Sequence, residues 1–311
     1  VPPVPASAGD GLLLVDKPAG VTSHDIVARV RRAQGTRRVG HAGTLDPFAT
    51  GLLVCAVGHA TRLLPYIQGE PKVYRARVAF GTTTATDDAT GEITGRGPAP
   101  DWARWDDAVA ALTGPLAQVP PAYSAKHLDG ERAYARARRG ESVALPPVPV
   151  TVHGWERHTT GEDWADVTIT CSGGTYVRAL ARDLGRALGT VAHCATLRRL
   201  ASGPLSAAEA VLAHALVPGA RLALRSPLEA MPHLLVLALG AEAEAAVRQG
   251  RAIPADGDDT EVVRPSGPTE GRAVLVAGPG RRIVAVAERR LERGRFAWQP
   301  RVVLPAPAPV A

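Results

Sequence analysis

Apolar and polar positions recur along this chain with two periods, and the switches between them outline its elements. In "VYRARVAF", residues 73 to 80, Tyr74, Ala76, Val78 and Phe80 fall on one side and Arg75 and Arg77 on the other, the alternation of a half-buried strand. "GLLLVDKP" predicts a short buried strand stopped by Pro18, and "LLVCAV" an apolar run of the same kind. Helical spacing follows Ser23, the expected cap, through Ile26, Val27 and Val30. It returns in "DWARWDDAVAALTG", with Asp101 as cap, Trp102, Trp105, Val109 and Leu112 as the stripe, and Gly114 as the stop.

"WADVTITCSGGTYVRALARDLGRALG" predicts a strand, a Gly-Gly turn and a helix. Leu180, Leu184 and Leu188 form its buried stripe, with Arg178, Arg182 and Arg186 on another face. "DGERAYARARRG" predicts a short basic helix, and a further helix with strands is expected up to about residue 232. The remainder differs in texture: one helix, "GAEAEAAVRQG", then short strands such as "RAVLVAG" and "RRIVAVAE" between Gly/Pro turns, a small β-rich domain. The Pro/Ala-rich ends are expected to fray.

Composition narrows the function classes. The chain has 311 residues, which favours two domains, and 45% apolar residues, enough for a core. A net charge of +6 suits a polyanionic partner, while 4% aromatics leaves base contact to one or two rings. Cys55, Cys171 and Cys194 lack C-x-x-C spacing, which disfavours zinc and a disulfide framework and favours a reducing compartment. No signal-like segment or membrane-length apolar run stands out, so a cytoplasmic location is expected. Dinucleotide and P-loop glycine patterns are absent, and no cofactor or metal is expected.

The least ordinary stretch is "GHAGTLDPFATG", residues 40 to 51. Asp46 stands there beside Pro47, among Gly40, Gly43 and Gly51, with His41 as its one nearby acid–base group. Asp-Pro with glycines makes an ordinary turn, or it presents a carboxylate to another molecule. Spacing alone leaves both open.

"RRVGHAGTLDPFATGLLVCAVGHATRL" closely resembles the signature of the TruB family of tRNA pseudouridine synthases, G-H-x-G-x-L-D-P-x-A-x-G-x-L, met at every fixed position. Two further blocks resemble the family in order: "GLLLVDKPAGVTSHDIV", and "GGTYVRALARDLGRALG" followed by "LRRLASG". The likeness covers residues 9 to 232, and the tail from 233 to 305 resembles the family's PUA-like RNA-binding domain. It implies an α/β (α+β) fold with a mixed, mostly antiparallel sheet flanked by helices. It implies the conversion of uridine 55 in the tRNA T-loop to pseudouridine, by a monomer that needs no obligatory protein partner.

The resemblance also assigns residues. Asp46 is the catalytic carboxylate, acting at C1′ as a nucleophile or at the C2′ proton so that a glycal forms. Tyr74 is the ring that stacks on the extruded base, and Arg178 the guanidinium that pairs with Asp46. Tyr176, Leu200 and Asp88 line the pocket, Lys17 supports the loop, and His41 fills the gap left in the RNA. "YSAKHLDGERAY" departs from the family's Y-S-A-x-K-x-x-G-x-R-x-Y, with Lys126 one place early and His127 at the lysine position. Arg31, Arg32, Arg37 and Arg38 are expected beside the catalytic loop, and Arg132, Arg136, Arg138 and Arg139 on the basic helix, as phosphate contacts. The alternatives are a relative acting on another RNA, an RNA chaperone, or a carboxylate glycosidase, for which no second acid stands out.

Overall fold

The computed structural model describes residues 9–123, 127–128, 131–132, 145–265, 271–292 and 294–306. A ten-stranded sheet fills the first two thirds of the chain. Its strands are β1 (Gly11–Lys17), β2 (Val39–Ala42), β3 (Thr50–Val57), β4 (Lys72–Phe80), β5 (Gly114–Gln118), β6 (Val148–Thr160), β7 (Trp164–Cys171), β8 (Ala192–Ser202), the short Leu205–Ser206, and β9 (Val211–Leu212). The path runs β9-β1-β3-β8-β4-β7-β6-β5, with β2 on β3 and Leu205–Ser206 on β8. Only β1 with β9 and β3 with β8 are parallel among these pairs. The mixed, mostly antiparallel sheet expected from the sequence is therefore present.

Among the described residues three α-helices accompany this sheet: α1 (Ser23–Gln34), α2 (Trp105–Ala111) and α3 (Val177–Ala187). The run "LLVCAV" is apolar without alternation because β3 is covered on both sides. Leu53, Cys55 and Val57 pack on Ile26, Val27 and Val30 of α1. Leu52, Val54 and Ala56 belong to the opposite cluster, with Leu12, Leu14 and Ala60. On β4, Tyr74, Ala76, Val78 and Phe80 are buried with Leu180, Leu184 and Leu188. Fully burying each leucine stabilises the fold by about 1.5–3 kcal/mol.

Three expectations need correction. Thr22, not Ser23, caps α1: its hydroxyl accepts from the Asp25 amide at 3.1 Å, and the Asp25 carboxylate accepts from the Thr22 amide at 2.8 Å. Asp101 caps a 3-10 turn, Trp102–Arg104, that leads into α2. After α3 no further α-helix forms before residue 232 among the described residues; the expected strands are there, β8, Leu205–Ser206 and β9, with single 3-10 turns between and after them. The basic helix expected over 129–140 lies outside the described residues, except that Glu131–Arg132 pairs with His127–Leu128.

A second, six-stranded sheet follows: β10 (Leu235–Leu239), β11 (Ile253–Pro254), β12 (Thr260–Arg264), β13 (Arg272–Ala277), β14 (Arg282–Glu292) and β15 (Arg295–Val303), in the order β11-β15-β14-β13-β10-β12. The helix α4 (Ala241–Arg248) packs on one face. Val236, Val274, Val276 and Val286 on the other meet Leu63 of the 3-10 segment Gly58–Tyr66, and Met231. This apolar seam joins the two sheets. Among the described residues no helix is long and apolar enough to cross a membrane.

Gly51 marks the tightest backbone approach at the start of β3. Its φ is +98°, and a Cβ there would lie 2.2 Å from the Arg199 carbonyl oxygen of β8. The obstacle is backbone, so it cannot swing away. Gly51→Ala is expected to destabilise the protein by about 2–3 kcal/mol, read as a lower urea midpoint; an unchanged midpoint would contradict this packing.

Candidate active site

The segment 43–49 leaves β2 and enters β3, carrying Asp46 at its centre. Its backbone is held from several sides. The Ser23 hydroxyl, free of the capping role, accepts from the Leu45 amide at 2.9 Å and donates to the Leu45 carbonyl at 3.1 Å. Lys17, fully buried at the end of β1, donates to the carbonyls of Pro18, Val21 and Pro47 at 2.9, 2.7 and 3.2 Å. Burial lowers its pKa to about 8, against the opposing pull of Asp46. The Gly20 amide donates to the Pro47 carbonyl at 2.8 Å.

Arg199 completes the hold from β8. It is 0% exposed, and it donates to the carbonyls of Leu52, Gly43 and Thr44 at 2.7, 3.0 and 3.4 Å. "LRRL" gave no warning of this, because paired arginines in a strand read as a solvated face. Gln118, also missed, is buried at the end of β5. It accepts from the Tyr176 amide at 2.8 Å and donates to the Tyr176 carbonyl at 3.1 Å, fixing the entry to α3.

That entry sets Arg178. Its Nε donates to Asp46 Oδ2 at 2.9 Å, Nη1 to the Thr86 carbonyl at 2.7 Å, and Nη2 to the Tyr123 carbonyl at 3.0 Å. Nη1 also lies 3.5 Å from Asp88 Oδ2. The guanidinium is therefore shared, and Asp46 receives one bond from it, not the two-oxygen clasp a lone pair would form. The arginine side chain is 4% exposed and the aspartate 37%, so the cation is buried behind a carboxylate that opens outward. Asp88 is buried, its Oδ1 accepting from Thr86 Oγ1, the Thr90 amide and Thr90 Oγ1 at 2.7, 2.9 and 2.6 Å. Asp87, its neighbour in sequence, turns away to Arg182 at 3.0 Å; burial raises its pKa and Arg182 opposes the rise. The arginine face of α3 thus clamps the 86–90 turn.

Asp46, Tyr74, Asp88, Tyr176 and Arg178 all line one cavity of about 690 Å³, within the range of small-ligand pockets. Phe48, Val177 and Leu197 add apolar wall, and Lys72 and Tyr123 complete it on other sides. Tyr74 is buried in β4, and burial raises its phenol pKa, with Arg199 pulling the other way.

Three expected residues lie outside the lining. Lys17 works behind the loop. Leu200 is half-buried and is the extra residue of a β-bulge where β8 slips against β4 between Arg199 and Ala201. The bulge leaves Leu197, not Leu200, on the cavity wall. His41 sits half-buried on β2, edge-on to His24 with ring centroids 5.7 Å apart. Its pKa is lowered by burial, then by His24 and Arg199, so the ring is neutral at pH 7. The first arginine cluster is also displaced from the loop. Ser23 meets Leu45 at the start of α1, which puts Arg31 and Arg32 at its far end, and Arg38 contacts His59 beyond the far end of β3. Lys126, Arg136, Arg138 and Arg139 lie outside the described residues, as do the side chains of His127 and Arg132. Among the described residues no cluster of three His, Cys, Asp or Glu side chains could hold a metal ion.

Comparison with known proteins bears on this arrangement. Residues 31–177 match the model of the TruB family pseudouridylate synthase N-terminal domain, and residues 178–231 that of the tRNA pseudouridylate synthase B C-terminal domain. The tRNA pseudouridine synthase B of Synechococcus sp. (strain WH7803) is 42% identical over 311 residues, 95% of this chain and 98% of that one. The protein of the same name from Paenarthrobacter aurescens (strain TC1) is 55% identical over 206 residues, 63% of this chain and 66% of that one, just under two thirds of its length. A chain in the crystal structure of a Cbf5-Nop10-Gar1 complex shares the fold, with a TM-score of 0.69 at 24% identity over 94% of this chain and 84% of its own.

Arg199→Leu leaves three carbonyls without their donor. It is expected to cost about 3–5 kcal/mol of stability and to speed amide exchange at Leu45 and Ala49. Unchanged exchange at both would contradict its role as the loop anchor.

Proposed function

Since the chain belongs to the TruB family of pseudouridylate synthases, we propose that its cavity receives one uridine extruded from tRNA, the uridine at position 55 of the T-loop, and isomerises it to pseudouridine. The observation that carries this is the Asp46 carboxylate, opened to a nucleoside-sized cavity and backed by the buried Arg178. The N1–C1′ bond breaks, the base turns, C5 bonds to C1′, the C5 proton is lost and N1 takes one up, so the product is an isomer of uridine. No redox change or phosphoryl transfer occurs, so one carboxylate and an enclosing pocket suffice.

The geometry supports the following roles. Arg178 holds Oδ2, which leaves Oδ1 without a protein donor among the described residues and available to the ribose. A carboxylate held this way attacks C1′ or takes the C2′ proton with little reorganisation. Tyr74 stacks on the uracil. Extrusion costs a few kcal/mol and one stacking contact returns about 1–3. Tyr176 and Leu197 close the apolar side. His41, neutral and at the edge of the catalytic loop, occupies the gap in the RNA. Recognition of the T-loop rests on its folded shape, and the second sheet, residues 233–305, serves as an RNA-binding domain of PUA-like type. The protein works as a monomer.

Tritium release from RNA labelled at uridine C5 tests the reaction. Wild type is expected to release label from tRNA and from an isolated T-arm stem-loop. Asp46→Asn is expected to fall to background while still binding tRNA. Undiminished release by that variant, or none by wild type from any T-arm, would overturn the proposal. Arg178→Lys keeps the charge but not the planar fork; it is expected to lower kcat by about 10²–10³ with KM little changed, and an unaltered kcat would remove the guanidinium from the chemistry.

A further inference from the structure

Of the described residues lining the cavity, two are cationic, Arg178 and Lys72. Arg178 has its guanidinium engaged by Asp46, Thr86 and Tyr123. Lys72 stands otherwise. It opens β4, half-buried, two residues before Tyr74. Side chains two apart on a strand share a face, separated by roughly 7 Å along it. The ammonium lies beside Gly43: a Cβ at that position, whose φ is +92°, would come within 3.4 Å of Nζ. Among the described residues no hydrogen bond or ion pair engages Nζ. The carboxylate near it in sequence, Glu70, has Oε1 bonded by the Gly173 amide at 2.7 Å.

A half-buried ammonium without an acceptor is unfavourable, and the neighbouring Arg199 charge adds to the cost. Burial first and then Arg199 lower the Lys72 pKa, against the opposing pull of Cys171 and Glu70. An anion in the cavity relieves both. The dipolar carbonyls nearby do not serve, since Arg199 takes those of Gly43 and Thr44.

We infer that Lys72 forms a phosphate subsite in the cavity, holding a phosphodiester that flanks the extruded nucleotide while Tyr74 stacks on its base. This rests on the RNA reading above. The spacing suits it: one strand face presents a ring for the base and, two residues away, a point charge for the backbone. Gly43 keeps the space beside the ammonium open. Lysine also suits a single phosphate oxygen better than a planar two-oxygen fork. The contact is a positioning one. It fixes where the ribose lies relative to Asp46 and takes no part in bond making.

Binding separates this from catalysis. In the Asp46→Asn background, the dissociation constant for a T-arm stem-loop is measured against salt. Adding Lys72→Gln is expected to weaken binding about tenfold at low salt and to make the slope of log K against log salt shallower by roughly 0.7–0.9. Lys72→Arg, a control for folding, is expected to keep most of both. Replacing each phosphodiester around the target uridine in turn by a neutral methylphosphonate reads the same contact on unaltered Lys72. One replacement is expected to reproduce the loss and to add nothing to Lys72→Gln. An unchanged salt slope in Lys72→Gln, or additive losses at every linkage, would overturn the subsite. So would a fall in kcat of the otherwise wild-type enzyme with binding intact, which would put the ammonium on the reacting base. Tritium release decides the reaction separately: a wild type that releases nothing, with the Lys72 salt effect intact, would remove the proposed reaction and leave the subsite standing.

Discussion

Everything in the cavity depends on one guanidinium being shared among several acceptors. Arg178 is buried, and a buried cation is tolerable only when its donors are matched. Asp46, Asp88 and the carbonyls of Thr86 and Tyr123 match them. The sharing has a chemical consequence. Because Asp88 and two carbonyls take the remaining donors, Asp46 is steadied through one oxygen and keeps the other. A symmetrical clasp would have tied up both. The arrangement gives a carboxylate that is aimed but not consumed.

The backbone beneath Asp46 is held by a second device, two buried cations that bind carbonyl oxygens. Lys17 and Arg199 each donate to three of them. Cations bonded to carbonyls add positive potential under the loop without placing another carboxylate next to the reacting one. The large sheet brings them there: β1 and β8 lie on either side of β3, and the loop enters β3 between them. Lys72 belongs to the same basic surround, with the difference that its acceptor is left for the RNA.

Much of this was legible in the sequence where one physical rule acted alone. The alternation of β4 and the leucine stripe of α3 record burial on one face, and both are buried as their periods require. The glycines and Pro47 around Asp46 marked a constrained loop. What stayed hidden was side-chain use that depends on distant partners. Ser23 looked like a cap because its neighbour Thr22 could not be seen to take that role. Arg199 was not singled out because the carbonyls it binds are some 150 residues away, on the order of half the chain. The resemblance pointed to Leu200 in "LRRL", but a β-bulge, which leaves no periodic trace, falls at that residue and Leu197 lines the wall. Arg37 and Arg38 are near Asp46 in sequence, yet β2 and β3 pair antiparallel and carry them to the opposite end.

The most direct measurement is a crystal structure of the protein with a T-arm stem-loop carrying 5-fluorouridine at the target position. The account predicts an extruded nucleotide against Tyr74, with Asp46 Oδ1 within ~3.5 Å of ribose C1′ or C2′ or bonded there, and Arg178 Nε still on Oδ2. A target uridine left stacked in the RNA, or a ribose bound away from Asp46, would contradict it.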